Sequence, residues 1–266
     1  MTVALDRRRV LAVTRRHALV LRRAPQSWFD ILVWPVVDTV IWGSIGVYAA
    51  SQGGASGAGV AYMLSGVVLM HVLYQSNVAT STAFLQETWS RNLMNLMVTP
   101  LREGEFAAGV ALYALGKLLV GLTMVGLAAW ALYSFDITTA GLALVPVVAV
   151  LVLCGFAIAQ VVVSVVLRFG NGAEIVTWGL LFVVVALSGA FYPPDALPAV
   201  LRPISAVLPT THAFAAARAS LDGDPFPWHQ LALAAAGLLV ILPLAVTFLV
   251  RSLAAFRRNG SITRYS

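Results

Sequence analysis

The sequence alternates apolar runs of about 20 residues or more with short polar stretches, the runs falling at about 28–50, 60–84, 106–133, 142–167, 173–191 and 229–253. No other feature narrows the possible folds as much. The hydrocarbon of a bilayer is about 30 Å thick, so a helix rising about 1.5 Å per residue needs about 20 apolar residues to cross it. Backbone polar groups in lipid must be satisfied within the segment, and continuous runs of this length meet that demand as helices. The expected fold is an all-α integral membrane protein, with six transmembrane helices in one domain over 27–266 and a basic segment over 1–26. Composition agrees: 60% of residues are hydrophobic and 11% charged, against about half and a quarter in soluble domains.

Six spans place both termini on one side of the membrane. With the N-terminus inside, 14 of the 17 Lys and Arg residues fall on inner segments, Arg202 and Arg218 fall outside, and Lys117 lies within a span. Cytoplasmic segments hold the basic excess, which puts the termini in the cytoplasm. The net charge of +6 reports topology in this setting and gives no reason to expect nucleic acid. Cys154 is the sole cysteine, so no intrachain disulfide forms.

Arg8, Arg15 and Arg22 recur at intervals of seven, as do Arg9, Arg16 and Arg23. On a helix these six share one half of the wheel, and Val10, Leu11, Val13, Ala18, Val20 and Leu21 share the other. That division fits an amphipathic helix on a membrane surface with its arginines toward lipid phosphates; a basic flank that only sets orientation is the other reading. Ser27-Trp28-Phe29-Asp30 resembles a capping box opening the first span.

Between the second and third spans lies a polar island, Gln86 to Glu105. Trp89, Leu93, Leu96 and Met97 align on one helical face, Arg91, Asn92, Asn95 and Thr99 stay off it, and Pro100 ends the turn. A short amphipathic helix outside the hydrocarbon follows, on the cytoplasmic side by the charge count. Between the fifth and sixth spans, Tyr192 to His212 is apolar yet broken by Pro193, Pro194, Pro198, Pro203 and Pro209. Pieces this short read as re-entrant helices dipping into the outer leaflet, with a surface lid as the alternative.

Asp38 and Lys117 are the clearest ionisable residues inside spans. Asp38 is ten residues beyond Trp28 and Lys117 twelve beyond Glu105, so with both spans starting at one level the two lie at similar depth and a salt bridge is expected. Two separate polar sites facing wet cavities would be the alternative. Catalytic signals are few. His71, His212 and His229 stand alone, no paired-carboxylate or metal-ligand pattern is present, and the glycines of Gly109 to Leu118 lack the spacing of a phosphate loop. The chain itself is expected to bind no cofactor, so its energy comes from an ion gradient or from another chain.

Two stretches together resemble the permease subunits of type-2 ATP-binding-cassette exporters, a group that includes drug, nodulation-factor, polysaccharide and teichoic-acid exporters. One is Glu87 to Pro100; the other runs from Leu187-Ser188-Gly189-Ala190-Phe191-Tyr192-Pro193-Pro194 through Leu208-Pro209-Thr210-Thr211-His212 to Arg218. The resemblance covers nearly the whole chain. It implies a dimer of permeases, most simply two identical copies, bound to two cytoplasmic ATP-binding subunits that carry ATP and Mg, and exporting an amphipathic drug, lipid or lipid-linked glycan. In that family the island is the coupling helix seated on the ATPase, which makes Glu87, Thr88, Trp89, Arg91, Asn92, Leu93, Leu96, Thr99 and Pro100 the coupling residues here. Tyr192, Pro193, Pro198, Pro209 and Arg218 would belong to the external re-entrant segment near the substrate exit. Trp-Ser-Arg-Asn stands in the island where many relatives are more acidic or glycine-rich. An ion-coupled transporter or channel, the competing class, would normally carry inverted repeats and midplane polar sites, and no clear repeat is visible. A lipid-modifying intramembrane enzyme would need a carboxylate cluster.

Overall fold

The computed structural model describes residues 6–52, 57–89, 101–170, 175–223 and 225–258. All of its regular elements are helical. They are α1 (Arg7–Arg22), α2 (Pro25–Trp28), a π-helical turn (Phe29–Val33), α3 (Trp34–Ser51), α4 (Gly57–Trp89), α5 (Glu103–Tyr133), a 3-10 segment (Ile137–Ala143), α6 (Leu144–Phe169), α7 (Ile175–Leu187), a 3-10 turn (Pro194–Ala196), α8 (Arg202–Val207), α9 (Pro209–Leu221) and α10 (Trp228–Arg258).

Five helical segments are long and apolar enough to cross a membrane: Phe29–Ser51, Gly59–Gln86, Gly104–Tyr133, Gly141–Phe169 and Trp228–Ala255. They match five of the six expected runs. The fifth run, expected over 173–191, is described as a helix of 13 residues, α7, about 20 Å long at 1.5 Å per residue. It stops at Leu187 because Gly189 adopts a positive φ of 66° and the chain turns back toward α4.

α4 is the hub. Its apolar window is 72% buried, whereas that of α10 is 17% buried, so α4 is enclosed by protein and α10 lies at the periphery. α3, α5, α6 and α9 all pack against it. Leu69 and Leu73 of α4 join Leu151 and Ile158 of α6, Leu181 of α7 and Phe214 of α9 in the largest apolar cluster. Lipid is as apolar as leucine, so close packing and hydrogen bonds, rather than exclusion of water, hold such helices together. Gly155 of α6 shows this: a Cβ there would lie 2.6 Å from the Leu73 carbonyl oxygen and 2.7 Å from Ser76 Cβ. Only a missing side chain allows the two backbones to come so near.

Candidate functional site

Helix α1 runs along the start of α5. The Glu105 carboxylate, 0% exposed, accepts hydrogen bonds from the Arg102 amide at 3.0 Å, the Asp6 amide at 3.2 Å and Arg9 Nη1 at 3.4 Å. One buried carboxylate thus caps α5 and clamps the start of α1 to it. Further along, Thr14 Oγ1 donates to the Gly109 carbonyl at 3.0 Å, Val13 packs with Val110 and Ala83, and the His17 ring lies 5.4 Å from that of Tyr113. This packing divides the apolar half of α1 that the sequence assigned to lipid. Val13 is buried in protein, while Leu11 and Val20 are each 45% exposed, beside exposed Arg8, Arg15 and Arg23. The outward stripe mixes guanidinium groups with leucine and valine.

The polar centre lies where the first span meets α4 and α5. Pro35 has no N–H and its ring crowds the carbonyl of Ile31, so a regular α-turn is blocked there. The chain widens into the π-turn just before it, in which the Trp34 amide donates to the Phe29 carbonyl five residues back. Asp30 sits in this turn. Its Oδ2 is 2.8 Å from Lys117 Nζ, and its Oδ1 accepts the hydroxyl of Tyr74. Asp30 therefore does not cap the first span. It joins three elements: the π-turn, α4 and α5.

The expected Asp38–Lys117 bridge is absent. Lys117 is paired with Asp30, and Asp38 Oδ2 instead lies 3.5 Å from His71 Nε2. The expectation assumed that the first span and α5 start at one level. They do not, because α1 occupies the first turns of α5, from Glu105 to Tyr113, and pushes the span's start about two turns along it. The error is eight residues, Asp30 for Asp38, or about 12 Å of helix. Beyond this point the two helices run in the same direction, and Ser44 Oγ meets the Tyr133 hydroxyl at 3.0 Å.

The segment after α7 folds back onto the bundle through its polar groups. Arg218 Nη2 donates to the Ala190 carbonyl at 2.6 Å, and its guanidinium lies 3.5 Å from the centre of the Tyr62 ring on α4. The Tyr62 hydroxyl donates to the Gly189 carbonyl at 3.3 Å, and the Phe191 ring stacks on Trp42 of α3 at 4.0 Å. Tyr192 donates to the Ala186 carbonyl at 2.6 Å. Pro193 caps the 3-10 turn Pro194–Ala196, and Pro209 opens α9, both positions where a missing N–H costs nothing. Pro198 follows the turn, and Arg202 binds the carbonyls of Leu197 and Asp195 at 2.9 and 2.7 Å. His212 bridges Gln230 of α10, at 2.8 Å, and the Ala206 carbonyl, at 2.9 Å.

Of the expected coupling residues, Glu87, Thr88 and Trp89 form the last turn of α4. Arg91, Asn92, Leu93, Leu96, Thr99 and Pro100 lie outside the described residues. Sequence reasoning missed Asp30, Tyr74 and Tyr62. The signal for Asp30 was a carboxylate one turn before the Trp34-Pro35 pair at a span's start, and the capping-box reading obscured it.

Long apolar helices packed around α4, with Asp30 bonded to both Lys117 and Tyr74 and so tying three elements together, define a polytopic membrane protein. The sequence matches the ABC-2 type transporter family over residues 8–221, and the chain belongs to that family as its membrane-spanning component. It is also similar to Nodulation protein J of Neorhizobium galegae, with 28% identity over 256 residues covering 94% of this chain and 93% of that one. Family membership implies association with an ATP-binding subunit.

Proposed function

We propose that this chain, as the permease subunit of an ATP-driven exporter, pairs with a second copy of itself and with two cytoplasmic ATP-binding subunits. ATP and Mg are held by those subunits, and this chain binds neither. The family match across most of the chain carries the reading. Both termini are cytoplasmic, the apolar run 173–191 that contains α7 is the fifth of six spans, and α8 and α9 form a re-entrant external segment. The polar island is the coupling helix: closure of the two ATP-binding subunits on ATP shifts it and rocks α4 and α5, between which it lies in sequence, from inward-open to outward-open arrangements.

The cargo is an amphipathic drug, lipid or lipid-linked glycan, admitted sideways from the bilayer. Long, largely apolar helices with few charges support that class over a small hydrophilic solute. The outward stripe of α1 suits the headgroup boundary, where leucine and arginine stems meet acyl chains and guanidinium groups reach phosphates. Affinity purification of the tagged permease from its native membrane tests the reading. A co-purifying ATPase whose hydrolysis responds to amphiphiles is expected. A permease that moves cargo on an ion gradient with no ATPase bound would overturn it.

A further inference from the structure

Among the described residues, helix α4 carries more buried polar side chains than any other helix, and a bilayer penalises such groups unless they meet partners or a passage. Several are satisfied locally. The Ser76 and Ser81 hydroxyls donate to the Val72 and Asn77 carbonyls, one turn back, at 2.7 and 2.8 Å. Gln75 differs. It is 0% exposed, and neither its amide oxygen nor its nitrogen has a hydrogen-bond partner. One turn before it on the same face is His71, whose Nε2 also lacks a hydrogen bond and lies 3.5 Å from the Asp38 carboxylate. Across from Gln75, one turn beyond Lys117 on α5, is Gly121; a Cβ there would lie 3.3 Å from Gln75 Cγ and 3.5 Å from Nε2. The amide is thus held without a protein partner against the side-chain-free surface at Gly121, a state that a hydrogen-bonding group avoids when another arrangement offers a partner.

The unused valences define a ligand chemistry. Lys117 answers the charge of Asp30, and Asp38 already faces His71. What remains at Gln75 is a neutral acceptor and a neutral donor. A hydroxyl or an amide satisfies both, whereas a net charge gains no counter-ion from Gln75 itself.

We infer that this face of α4, His71 and Gln75 opposite Asp38 and Gly121, recognises a neutral hydroxyl- or amide-bearing part of the exported molecule. The site is closed in this conformation and opens when α4 and α5 part. The inference rests on the exporter reading above and adds to it where the cargo's polar part is held.

Gln75→Cys in a Cys154→Ser background, in proteoliposomes with the co-purified ATPase, tests it by labelling with a membrane-impermeant maleimide. Rates are compared without nucleotide, with ATP and with ATP plus vanadate. A minor open state made dominant raises the rate by about tenfold or more in at least one condition; no labelling in any condition overturns the inference. In a second arm, Gln75→Leu leaves the thermal midpoint of the permease unchanged or raised, because a buried unpaired amide is removed. The same variant loses the stimulation of ATP hydrolysis by an alkyl glucoside over an alkyl trimethylammonium of equal chain length. A lowered midpoint with that stimulation retained would show Gln75 to be structural and would overturn the inference. Absence of a bound ATPase would instead sink the exporter reading alone, since labelling and melting of the isolated permease still decide whether this face opens.

Discussion

The Asp30–Lys117 pair gives the sharpest test of how the bundle is held together. The Lys117 side chain is 5% exposed and that of Asp30 25% exposed, with 2.8 Å between charged atoms. Removing one partner of a buried pair costs about 3–5 kcal/mol, because the remaining charge is left uncompensated. The two single variants are not equivalent. Lys117→Met leaves Asp30 partly exposed and still bonded to Tyr74, so its loss falls near about 3 kcal/mol. Asp30→Leu leaves an ammonium group almost fully enclosed with no acceptor, so its loss falls near about 5 kcal/mol. At about 2–4 °C of melting temperature per kcal/mol for a chain of this size class, the range is about 6–20 °C. The double variant, Asp30→Leu with Lys117→Met, recovers part of the loss, with a coupling of about 1–3 kcal/mol. Fluorescence-detected size-exclusion after heating reads all four proteins in detergent. The control cycle is Asp38→Asn with Lys117→Met, which is additive because Asp38 faces His71. Additive losses in the Asp30 cycle, or coupling in the Asp38 cycle, would refute the assignment.

Other perturbations probe the remaining contacts. Arg218→Met removes a charged hydrogen bond and a cation–π contact and lowers stability by about 2–3 kcal/mol, while Tyr62→Phe keeps the ring and costs about 1 kcal/mol; equal losses in thermal melts would argue against the stacked geometry. Gly155→Val drives side-chain atoms into the Leu73 carbonyl, so folded yield on size-exclusion falls sharply, whereas Gly116→Val, where nothing lies within 4 Å of an added Cβ, is tolerated. Glu105→Ala releases the start of α1, seen as faster proteolysis N-terminal to Arg15; an unchanged rate would mean the clamp is not needed to hold α1. Trp89→Asp with Leu93→Asp uncouples ATP hydrolysis from transport while the permease stays folded, and unchanged transport with unchanged complex assembly would remove the island from the coupling role.

Much of this protein was legible in one dimension. Apolar runs long enough for a bilayer determined that the chain is helical and polytopic, because in lipid the backbone has no other economical way to satisfy its hydrogen bonds. The resemblance carried by Glu87 to Pro100 and by Leu187 to Arg218 pointed to the family, and the proline breaks marked where α8 and α9 stay short. Depth was not legible. Counting residues from the presumed span ends put Lys117 beside Asp38, yet α1 packs along the first turns of α5, and that offset depends on side chains about 100 residues apart in sequence: Asp6 and Arg9 on Glu105, Val13 and Thr14 against Gly109. Hydropathy records how apolar a segment is and carries no information on how far it slides past its neighbour. Tertiary packing alone decided that Lys117 meets Asp30, that His71 receives Asp38, and that Gln75 is left facing Gly121.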